Sequence, residues 1–310
     1  MKIRFWVAAV AFFAVACGAV GAHAQTLSLA YHQGDTYKYA LHLTTKGNTG
    51  AGALSSPIDV DMSATEAVSV LSVDASGDAA ISIASSNLSV KSSFGGITNT
   101  TTGLPGQTVQ MTIAPDGRIL SVDGQALGGG GLPLLGGSSG SFISAILPGG
   151  AVKPGDTWTK SYDVANPAGT GTVHITADSK YLRDETIKSV NAAVVQTRST
   201  ATFDLTIDLG KMLSGASGGL GDVTGMTGGP APPASDSGPQ SITITGTATS
   251  DTTTWIDPGS HRVVKTHETG STDTTVTIPM PAGAAATSPT PKPIGPITLS
   301  GSETLDLTPA

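Results

Sequence analysis

Cysteine is almost absent: Cys17 is the only one among 310 residues. A disulfide framework is excluded, and no Cys-x-x-Cys pair exists for zinc or redox work. Long apolar runs are absent after the leader. The one continuous stretch, Phe5 to Ala16, has 12 residues, and a membrane-spanning helix needs about 20. Good helix formers are scarce too. Charged residues reach only 13%, while Thr, Ser and Gly abound, and those three are mediocre or poor in helices. They suit strands and tight turns. Positive charge is also short. Sixteen basic residues less Lys2 and Arg4 of the leader leave 14, against 23 acidic ones, a balance of −9. Nucleic acid, whose phosphates need a basic surface, is excluded as a partner.

The chemistry-bearing patterns are missing as well. There is no Gly-x-Ser-x-Gly elbow and no Ser-x-x-Lys pair opening a helix. Gly128 to Gly131 is a run of glycines with no Lys-Ser or Lys-Thr behind it, so it is no phosphate loop. Asp59, Asp61 and Glu66 lack the sixth-position glycine of a calcium loop. His261 and His267, six apart, would share one face of a continuous strand about 20 Å from each other, too far to hold one metal. Trp158 and Trp255 are the only tryptophans after the leader, few platforms for a glycosidase cleft. No catalytic residue, metal ligand or cofactor is expected, and the reading is non-enzymatic.

What is present begins with a leader. Lys2 and Arg4 precede the apolar stretch, and Ala22-His23-Ala24 fits a small-x-small cleavage pattern before Gln25. Residues 1–24 read as a secretory signal, and the remaining chain as exported, periplasmic or extracellular. Ala14-Val15-Ala16-Cys17 resembles a lipobox, which makes lipid anchoring at Cys17 the alternative.

The main positive signal is internal repetition. Gly34-Asp35-Thr36-Tyr37 returns as Gly155-Asp156-Thr157-Trp158. Ala79-Ala80-Ile81 is answered by Ala192-Ala193-Val194, and Pro115-Asp116-Gly117 by Asp257-Pro258-Gly259. From Ala79 to Pro115 is 36 residues, and from Ala192 to Pro258 is 66. Removing the Gly/Pro-rich insert at 210–239, 30 residues, restores 36. Each Gly-Asp pair makes a tight turn, and the aromatic that follows begins a strand face. Trp158 is on that ground expected to be buried.

Period-two alternation predicts strands over 37–43, 60–73, 79–91, 109–113 and 119–122, then 158–162, 173–177, 190–207, 242–246, 276–278 and 297–307. Residues 47–56 read as a loop. Ser141 to Leu147 predicts one short helix, capped by Ser141 and ended by Pro148-Gly149-Gly150. The expected fold is all-β: two tandem similar antiparallel units forming a large curved sheet or open barrel, with that helix between them. The units are 25–126 and 154–278, joined by a Gly-rich connector at 127–153. A Pro/Ala linker at 279–296 leads to a last strand at 297–310.

Two Gly-rich segments, 127–136 and 209–229, carry more large apolar side chains than exposed loops need. Leu134, Leu135, Met212 and Leu213 are the candidate lid over an apolar ligand. The partner expected is a lipid-like molecule or an envelope protein. The readings left open are an apolar-ligand binder of the envelope, a structural or interaction protein, and a secreted hydrolase.

These motifs together resemble a group of uncharacterised exported bacterial proteins catalogued as a domain of unknown function. Its members carry an early Gly-Asp-x-Tyr/Trp strand, here Gly34 to Tyr37, and a mid-chain Pro-Gly-Asp-x-Trp strand, here Pro154 to Trp158. The likeness spans roughly 26–278 and implies no activity. A more remote likeness, in architecture only, is to periplasmic lipoprotein carriers, which fold an open β half-barrel under helical lids.

Overall fold

The structure, a computed structural model, describes residues 24–51, 54–104, 106, 108–123, 145–166, 169–208, 241–277 and 296–310. These residues form strands throughout: β1 (Gln25–Thr26), β2 (Thr36–Ala51), β3 (Leu54–Val73), β4 (Ala79–Phe94), β5 (Ile97–Leu104), β6 (Thr108–Ile113) and β7 (Ile119–Asp123). The chain continues with β8 (Ala151–Val152), β9 (Thr157–Ala165), β10 (Gly169–Ile187), β11 (Val190–Asp208), β12 (Ser241–Asp257), β13 (Arg262–Thr277) and β14 (Ile297–Pro309). No helix occurs among the described residues. Of the seven residues of the expected helix, Ala145 to Leu147 run as irregular chain, and 141–144 lie outside the described residues. The reason is burial: Ala145, Ile146 and Leu147 all enter the core, and three consecutive buried residues suit an extended plug rather than a one-sided helix. The loop expected at 47–56 is also largely strand, since β2 and β3 pair out to Ala51 and Leu54.

Twelve strands join one antiparallel sheet, in the order β7-β6-β4-β3-β2-β14-β13-β12-β11-β10-β9. β5 is off that path and continues the line of β6 along β4. Eleven positions separated by ten antiparallel steps make β7 and β9 run in the same direction. These two ends of the sheet come into contact without pairing, so the sheet curls into a nearly closed barrel.

Burial fixes which face is inside. Leu27, Leu29 and Tyr31 from the chain start, with Ala145 and Leu147 from the mid-chain plug, pack against one face of strands on every side of the ring. Tyr39, Leu41, Val68, Val70, Ile81, Met111, Tyr181, Val195, Ile256 and Leu307 supply that face. A cluster reached from all sides lies within the curl, and it closes one end. The plugs are pinned through backbone bonds: Leu29 N–H donates to Pro115 O, Ala30 N–H to His261 O, and Leu147 N–H to Asp116 O. The outer face of the same strands is polar. Arg198, Thr200, Thr202 and Asp204 of β11 and His174, Asp178 and Lys180 of β10 are exposed, the reverse of the apolar exterior of a lipid-spanning barrel. A smaller outer cluster of Ala192, Val194, Trp255 and Val264 covers β11 from outside near the closed end.

The two halves share local features. Gly34 and Gly155 both take the positive φ that opens a tight turn, +91° and +100°. Gly34 N–H donates to Val70 O while Val70 N–H returns to Asp35 O. Gly155 N–H and Tyr181 N–H make the same exchange with Tyr181 O and Asp156 O. The register slips beside Val70 and beside Tyr181, and again beside Ile113 and beside Ile256. Trp158, expected to be buried, is half-buried: its indole N–H reaches Ile146 O at 3.0 Å at the edge of the plug. His261 sits in the turn before β13 with φ +52°, not on the strand face with His267.

Candidate functional site

Along β14 the inner face reads Ile297, Leu299, Gly301, Glu303, Leu305, Leu307. The last two belong to the closed-end core. The first two pack on a second inner cluster at the other end, built from Phe203, Leu205, Ile207, Ile244 and Val276, with Val173, Ile242 and Ala248 against it. The same register runs along β11, where Val195 and Phe203 to Ile207 bracket Thr197 and Ser199. The inner face therefore carries two apolar zones with a polar band between them.

The inner face holds three buried carboxylates, Glu268 and Glu303 in that band and Glu66 among the closed-end core residues Tyr39, Ala64 and Val68. Glu66 on β3 accepts bonds to both oxygens from the Ser85 hydroxyl, at 2.9 and 2.8 Å. Glu268 on β13 accepts from the Thr252 hydroxyl at 3.2 Å. Glu303 on β14 stands opposite Gly270 and Thr45, only 9% exposed, and its Oε2 has no hydrogen-bond partner. Gly270 is what makes room for it: a Cβ there would stand 3.0 Å from Glu303 Oε1. Burial, with the charge of Glu268 behind it, pushes the Glu303 carboxyl up to about 8. Burial also raises Glu66, against the opposing bond from Ser85. One register step from Gly301, the buried Thr274 hydroxyl is unpartnered as well.

Glu303 lines a hollow with Thr45, Gly47, Ile58, Thr272, Leu299 and Gly301. Its volume for a water-sized occupant is about 30 Å³. The hollow persists because two backbones approach there too closely for side chains. A Cβ at Gly47 would meet Ser300 O at 2.4 Å, and one at Gly301 would meet Lys46 O at 2.9 Å.

A separate ion cluster bridges the seam between the sheet's two ends. Asp116, in the turn after β6, accepts from Arg118 Nε at 2.9 Å and from Lys160 Nζ on β9. Burial alone would raise the Asp116 carboxyl, but the bonds from Lys160 and Arg118 outweigh it and hold the group below its ordinary range.

The candidate lid residues Leu134, Leu135, Met212 and Leu213 lie outside the described residues. The 209–229 segment follows β11 directly, beyond Ile207 of the second inner cluster. The candidate calcium carboxylates separate: Asp59 and Asp61 point outward while Glu66 points in. Among the described residues no group of three or more His, Cys, Asp or Glu could hold a metal. None of their helices is long and apolar enough to cross a membrane. Sequence reasoning missed Glu268 and Glu303. The signal was available, because Glu303 falls in phase with Leu299, Leu305 and Leu307.

No protein-family model matches the chain, and no curated protein is similar to it in sequence.

Proposed function

We propose that this is a non-enzymatic, exported protein of the bacterial envelope that binds an apolar ligand inside its barrel. The observation that carries the reading is the second inner cluster, Phe203, Leu205, Ile207, Ile244 and Val276. It lies apart from the core that closes the barrel, beyond a band of Ser, Thr and Glu, and its side chains are buried although no plug residue belongs to it. Barrels of this kind bind ligands within their walls. Leu134, Leu135, Met212 and Leu213 are proposed to cover the ligand. Two tandem β units, each opening on a Gly-Asp turn, are proposed to have arisen by duplication, on the matched hydrogen bonds and register slips. Residues 1–24 are proposed as the export signal, and the likeness to the exported bacterial group is kept on the same footing.

The test is native mass spectrometry of the protein purified from its own envelope, followed by titration with the uncharged probe N-phenyl-1-naphthylamine. A copurified apolar molecule, or saturable probe binding weakened by deleting 210–229, supports the reading. A ligand-free protein that binds no probe refutes it.

A second reading, an interaction protein of the envelope, is favoured by the β4–β5 hairpin tip. There Phe94 and Ile97 face each other across the turn at 54% and 70% exposure. A partner that captures the native chain but not Phe94→Ser/Ile97→Ser would support it.

A further inference from the structure

The Glu303 hollow is a built site with an unmet electrostatic requirement. Two carboxylates share a low-dielectric wall, and burying an uncompensated carboxylate is costly. Glu268 faces the site from β13 and is hydroxyl-bonded, while Glu303 keeps one oxygen without a partner although nine-tenths buried. From β2 the facing groups are Thr45 and Gly47, from β13 also Thr272, and from β3 Ile58, none of them cationic. Glu66 of β3, further down the inner face, adds a third carboxylate. Lys46 and His267 fall in the outward register, and His267 is paired with Asp306. Among the described residues the one inner-face lysine near the band, Lys160, is already taken by Asp116. Leu299 belongs both to the hollow and to the second apolar cluster, so the carboxylate end adjoins apolar side chains.

We propose that the hollow takes the ammonium group of an amphipathic cation whose hydrocarbon chain lies along Leu299, Ile297 and the Phe203–Ile244 cluster. This rests on the apolar-ligand reading and adds the class of ligand. The ammonium would donate to the open Glu303 oxygen and would compensate the Glu268–Glu303 charge. Binding of a cation requires Glu303 ionised. Affinity therefore rises with pH up to about 8, where the free site loses its proton. A primary alkylammonium, with a pKa near that of lysine, about 10.4, stays charged across that range.

The experiment displaces N-phenyl-1-naphthylamine from the full chain with dodecylammonium, dodecanol and dodecanoate, each below its micellar concentration, at pH 6.5 and 8.5. Dodecylammonium is expected to bind at least about tenfold tighter than dodecanol at pH 8.5, with the gap narrowing by roughly tenfold at pH 6.5. Glu303→Gln should lose that gap and its pH dependence while keeping the parent's β circular-dichroism signal, which reports that it is folded. Glu268→Gln should narrow the gap. Equal affinity for dodecylammonium and dodecanol, an unchanged Glu303→Gln, or a preference for dodecanoate overturns the cation assignment and leaves apolar binding standing. Failure of all three chains to bind overturns both.

Discussion

At the scale of single residues, Glu303 is the informative one. Its carboxyl ionises near 4.5 when unfolded and near 8 when folded. Between those values the native state binds the extra proton, so stability falls as pH rises through the window and levels off above it. Glu303→Gln removes the fall. Urea midpoints should differ little between variant and parent at pH 4.5, and at pH 8 should favour the variant by an amount on the order of a few kcal/mol. Parallel curves at both pH values would show that the carboxyl is solvated. Gly47 tests the close approach beside it. Gly47→Ala brings a methyl against Ser300 O and should cost about 1–3 kcal/mol. Gly149→Ala, with open space around it, should stay within about 0.5 kcal/mol. Neither Glu303 nor Gly47 stood out in sequence. A period-two reading looks for apolar residues in phase, and a carboxylate in phase reads as a gap in the pattern rather than as a buried group.

At the scale of elements, alternation made most strands legible, because side chains in a curled sheet must divide between core and water. The short helix differs from the structure because Ile146 and Leu147, which fit a helical stripe, are buried in an irregular plug, and only tertiary packing separates the two. The contact between β7 and β9 was not legible at all, since it follows from strand count and not from any motif. Asp116 bridges it to Lys160. The Asp116 carboxyl is held low in the folded state, so its contribution is present above the unfolded pKa and lost as pH falls through the folded one. Asp116→Asn should cost about 1–3 kcal/mol near neutral pH, discounted for partial exposure, and should flatten the acid limb of the stability curve. Hydrogen exchange should quicken in β9 before β12. Uniform quickening across the sheet would place the effect in the core instead.

At the scale of the molecule, the closed end and the second inner cluster carry different loads. Leu307 is fully buried in the core that both plugs share. Leu307→Ala should lower the unfolding midpoint by about 2–5 kcal/mol while leaving probe binding by the folded protein unchanged. Loss of binding at full stability would put the ligand among the plugs.

The seam has a consequence of another kind. In a ring whose neighbours must alternate in direction, an odd number of members always leaves one pair aligned. Eleven positions among the described residues therefore leave one such pair, β7 and β9. A pulling force applied across the wall should always unzip this one line first. A twelfth position, whether an added strand or the edge of another chain, could pair with both ends and seal it.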